Sequence, residues 1–189
     1  MQKLKSSKII AKTILLLLII WGSASFFLFA SYPMIKWVGV ILSLFAVYLL
    51  IAGVGEFVLL FLINFTNIYA FYGLLFSYNL PLWLIMLGII FVTSATFIIL
   101  SDKILTEKSH FMLTLVFYVL SMLEFYLALS YWLVNPLTRS LIMSVFVYIF
   151  VGFLSSIKGE IFSGKNFRTY IYFAILVMIM LIFTISWGN

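Results

Sequence analysis

The chain has 189 residues, 66% of them hydrophobic and 8% charged, with a formal net charge of +6. A soluble domain of this length cannot hide so much apolar surface, and the continuous apolar runs lack the alternating ten-residue pattern of a membrane barrel. Composition therefore predicts an all-α, polytopic integral membrane bundle. Cysteine is absent, which excludes disulfides, thiolate metal sites and thiol catalysis. The basic balance is read as membrane topology rather than nucleic-acid binding, because positive charge collects beside spans.

Four lysines (Lys3, Lys5, Lys8 and Lys12) precede the first apolar run. That run is longer than the apolar core of a signal peptide, so it is read as an uncleaved first span over about 9–31, followed by a loop at Tyr32-Pro33. The region from Trp37 to Asn79 is too long for one crossing, which takes about 20 residues. It allows one long helix with an interfacial segment, or two helices joined by a tight turn at Gly53-Val54-Gly55. Later spans are expected over about 82–100, 111–134, 137–157 and 169–187.

The distribution of basic residues decides between the two models. Seven spans with the N-terminus inside place Lys3, Lys5, Lys8, Lys12, Lys103, Lys108, Lys158, Lys165 and Arg168 in the cytoplasm, and only Lys36 and Arg139 outside. Six spans would put most of the later basic residues outside. The expectation is a single transmembrane domain over 1–189 with seven helices, N-in and C-out, the second and third at about 37–52 and 57–76.

Two acids fall within the apolar runs. Glu56 is the only formal charge between Lys36 and Asp102, and Glu124 lies near the middle of its span. A carboxylate in hydrocarbon costs roughly 2.5–3.5 kcal/mol or more. Helical rotation puts Asn67 within about 20° of Glu56, and Tyr131 on the face of Glu124. Each stripe is expected to face protein or water rather than lipid. Two roles are open: a proton or cation site, or a neutral acid bonded to a neighbouring helix. Arg139 reads as an interface anchor. His110, the only histidine, falls in a loop, so the chain by itself is not expected to hold haem, copper or zinc.

The order of several short features resembles subunit III of the haem–copper terminal oxidases (cytochrome c and quinol oxidases). Gly55-Glu56-Phe57-Val58-Leu59-Leu60-Phe61 is similar to the acid and apolar run of that family's third span. Leu80-Pro81 followed by Thr93-Ser94-Ala95-Thr96, then Glu124-Phe125-Tyr126 and the tail Ser186-Trp187-Gly188-Asn189, are similar to its later features. The family's paired histidines, and the histidines of its last two spans, have no counterpart here. The resemblance implies a non-catalytic subunit that packs on a haem- and copper-bearing catalytic partner. It would hold membrane lipids in a cleft between its first two spans and the rest, and support proton uptake, with Glu56 as the acid beside that cleft. It would sit in a prokaryotic cell membrane. The alternative is a small transporter or substrate-binding subunit using Glu56 and Glu124. A lipid-modifying enzyme is disfavoured, because no cluster of acids or histidines is present.

Overall fold

The computed structural model describes residues 2–104, 111–132, 135–157 and the single positions 168, 172, 175 and 179. Among the described residues six helices follow one another: α1 (Gln2–Phe29), α2 (Pro33–Ala52), α3 (Glu56–Tyr78), α4 (Leu82–Ile104), α5 (Phe111–Ser130) and α6 (Pro136–Ile157). Five of them, α1 to α5, contain stretches long and apolar enough to cross a membrane, and α6 carries a shorter apolar stretch, Pro136–Gly152. The chain is an all-α membrane bundle, and no strand occurs among the described residues. The expected span 169–187 lies outside them, apart from Tyr172, Ile175 and Ile179, which are helical and exposed.

The ambiguous region from 37 to 79 is two helices. Gly53 and Gly55 both have φ of +67°, a left-handed backbone that glycine adopts without Cβ strain. The Gly53 N–H closes α2 on the Leu49 carbonyl at 2.9 Å, and Leu59 N–H opens α3 on the Gly55 carbonyl at 2.9 Å. Pro33, expected in a loop, is instead the first residue of α2, where its missing N–H costs nothing. The fifth span ends at Ser130 rather than 134, with Asn135 beginning the next helix by accepting the Thr138 N–H on its side-chain oxygen at 2.8 Å.

Helix α3 is the centre of the bundle. Its apolar window is 78% buried, against 28 to 33% in the other four spanning helices. The reason lies in its composition. Asn64, Thr66, Asn67, Tyr69, Tyr72 and Gly73 place polar or small groups on every side, so no face of α3 suits lipid. Helices α1, α2, α4 and α6 pack around it, α5 packs on α4 and α6, and Leu17, Ile20, Phe45, Leu87 and Leu113 turn outward. Gly22 of α1 sits so close to Thr66 that a Cβ there would overlap the threonine side chain. Asn67 Nδ2 crosses the same contact to the Leu18 carbonyl at 3.1 Å. A small residue for close approach and an amide for a hydrogen bond are the usual means of joining helices where lipid removes the hydrophobic drive.

The helix ends are brought into register by aromatic contacts. Phe29 at the end of α1 meets Tyr78 at the end of α3, with ring centroids 6.0 Å apart. Tyr72 of α3 stacks on Tyr126 of α5 at 4.4 Å, and donates its hydroxyl to the Tyr126 carbonyl at 3.3 Å. The starts of α2 and α4 and the end of α5 therefore share one end of the bundle. Trp37, Trp83 and Trp132 are all exposed there, as expected of an aromatic belt at a membrane–water boundary.

Candidate functional site

Glu56 is the first residue of α3, half-buried, directly after the two left-handed glycines. A carboxylate at a helix N-terminus faces the unpaired N–H groups of the first turn, and is favoured there by about 0.3–1 kcal/mol. Asn67 lies eleven residues further along, about 16 Å up the helix axis. It is wholly buried on α1, bonded to the carbonyls of Leu18 and Ile63. The two residues share a helix but not a site. The Asn67 amide is used in packing, while its Oδ1 has no hydrogen-bond partner among the described residues.

Glu124 lies on the outside. It is exposed on α5, and Tyr131 is exposed beside it, past the helix end. The stacking of Tyr72 on Tyr126 puts Glu124 near the level of residue 70 on α3. That is about 20 Å along the bundle from Glu56. The structure does not bring the two acids together. The polar stripe expected to face protein is turned away from the rest of this chain.

A residue that sequence reasoning placed at the interface proves to be interior. Arg139 is only 6% exposed. Its guanidinium carbon lies 4.3 Å from the Phe76 ring centroid and 5.6 Å from that of Tyr72. Nη1 donates to the Ser130 carbonyl at 3.3 Å, and Nη2 donates to the Trp132 carbonyl. These carbonyls close α5, whose C-terminal dipole favours a cation. The signal in the sequence was the spacing. Asn135-Pro136 starts a helix, so position 139 lies one turn in, beside the preceding helix end.

An apolar cavity of about 400 Å³ opens between α1 and α2 on one side and α3 and α6 on the other. Phe26, Val38, Leu42, Phe65 and Leu141 form its walls, while Asn135 and Thr138 supply polar groups at the α6 start. This volume and lining suit one hydrocarbon chain rather than a polar solute. Among the described residues no three acids or histidines are grouped as a metal would require, and His110 lies outside them. Comparison with protein-family models, with curated proteins and with solved structures gives no match.

Proposed function

We propose that the chain is a non-catalytic membrane subunit of a respiratory terminal oxidase, of the subunit III type, in a prokaryotic cell membrane. In this reading it crosses the membrane seven times, N-in and C-out. It packs on a catalytic partner that carries the haem and copper, and it supports proton uptake. The observation that carries the reading is the apolar cavity between the first two helices and the rest, the position where the resemblance implies a lipid-holding cleft. In this reading Glu56, at the α2–α3 turn, is the half-buried acid that supports proton uptake.

The transporter alternative needs its acids to act on one solute. Glu56 and Glu124 lie on different helices about 20 Å apart, which weighs against a shared coupling site. The test is affinity purification of the tagged chain from its native membrane in mild detergent, followed by an optical redox spectrum. Haem bands in the eluate, retained through a second column, support the reading. A colourless eluate holding the chain alone refutes it.

A further inference from the structure

The cavity between the first two helices and the rest is apolar along its walls but ends in hydrogen-bond donors at the α6 start. Thr66, Thr93 and Thr96 are buried in the middle of their helices, and each donates its hydroxyl to the carbonyl four residues back, at 2.6 to 3.0 Å. Thr138 is the third residue of α6, so no carbonyl of its own helix lies one turn behind it. It is 4% exposed and lines the cavity, and its hydroxyl makes no hydrogen bond among the described residues. A hydroxyl taken out of water without a partner is costly, and here it borders open space. Its neighbours are donors as well. Asn135 uses its side-chain oxygen to accept the Thr138 N–H at 2.8 Å, which leaves Nδ2 to donate. The first-turn N–H of Leu137, another lining residue, has no acceptor among the described residues. The positive end of the α6 dipole lies at the same place.

We propose that the cavity binds one long-chain fatty acid, its ionised carboxylate at Asn135, Leu137 and Thr138 and its tail along Phe26, Leu42 and Phe65. This deepens the lipid-holding reading of the cavity given above, and rests on it for the apolar part alone. The head chemistry selects the occupant. A carboxylate only accepts hydrogen bonds, and the free groups at the α6 start are donors. A fatty alcohol or ester lacks the charge that a helix N-terminus favours, and a choline or ethanolamine head would bring a cation to the positive end of a helix. The volume of about 400 Å³ selects a single tail. The depth agrees. Trp37 and Trp132 are exposed at this end of the bundle, where the membrane–water boundary lets a carboxylate stay ionised. From there the cavity reaches inward to Phe61, whose ring meets that of Tyr148 at 6.3 Å. Tyr148 stands about 15 Å further along α6 than Thr138. Arg139, the next residue, is engaged on the carbonyls that close α5, so recognition falls to Thr138.

The test uses the full chain, purified, stripped of lipid and reconstituted in phosphatidylcholine nanodiscs, with tritiated palmitate as the probe. Binding is expected to saturate at equal moles of palmitate and chain. Methyl palmitate has the tail without the charge, and is expected to compete at least about tenfold more weakly. Thr138→Val keeps the shape and removes the donor, and is expected to weaken binding at least about fivefold, while Thr138→Ser stays close to wild type. Leu42→Trp fills the cavity and is expected to abolish binding. Circular dichroism and melting temperature check that each variant folds, and the methyl ester is read on the unaltered chain, so the proposal stays open to refutation where a variant does not. Absence of saturable binding overturns the proposal, whatever else fills the space. A Val variant that binds like wild type overturns it, as does a methyl ester that competes like palmitate. Stronger displacement by phosphatidylglycerol than by palmitate also overturns it, because that result assigns the cavity to a two-chain lipid. In that case the lipid-holding reading stands while this proposal falls, and the haem spectrum of the native complex decides the oxidase reading on a separate sample.

Discussion

Replacing Arg139 probes how the end of the bundle that carries the aromatic belt is held. Its guanidinium bonds the carbonyls of Ser130 and Trp132 and lies over the rings of Phe76 and Tyr72. Hydrogen bonds to a charged group contribute roughly 1.5–3 kcal/mol each, and the ring contacts about 0.5–2 kcal/mol. Against these stands the cost of desolvating the cation, several kcal/mol in a dry interior. Ser130 is half-buried and Trp132 exposed, so water replaces part of what is lost on truncation. Arg139→Ala is therefore expected to destabilise the chain by about 1–3 kcal/mol, chiefly through the two carbonyls left without donors. Arg139→Lys retains the charge but not the planar fork, and should fall between the two. Arg139→Met fills the volume without satisfying either carbonyl. The assay is unfolding in mixed micelles followed by tryptophan fluorescence, with protease cleavage at 131–135 as a local readout. A Met variant as stable as wild type, with cleavage unchanged, would refute the assignment of Arg139 as the cap of α5.

Two further outcomes follow from the same geometry. Gly22→Val places a side chain in the space of Thr66, and is expected to cost about 1–3 kcal/mol in the same unfolding assay. Leu42→Trp fills the cavity between the first two helices and the rest. It is expected to lower the lipid retained per purified chain, measured as phosphate and fatty acid, while the melting temperature holds.

The first five spans were legible because apolar run length is a direct consequence of bilayer thickness. The Gly53–Gly55 turn was legible as one of two options, and charge parity selected the option that the left-handed backbone displays. Pro33 was placed one element too early, because proline suits a loop and a first helical turn alike. The centrality of α3 could have been read from Asn64, Thr66 and Asn67, polar on several faces of one helix. Which way Glu124 turns could not, since its helix is apolar all round and rotation is decided by packing against neighbours. Arg139 was assigned to the boundary by its place near a span end. Its burial depends on the depth of Phe76 and Tyr72, set by a helix more than sixty positions earlier in the chain.

The proposed role requires a partner that carries the redox chemistry. The most direct measurement is the reduced-minus-oxidised spectrum of the complex purified from native membranes through the tagged chain. Haem bands that stay with the chain through size exclusion, at a constant ratio of haem to protein, are the expected result. A homogeneous chain, or a dimer of it, with no haem absorbance and full α-helical circular dichroism, would contradict that role.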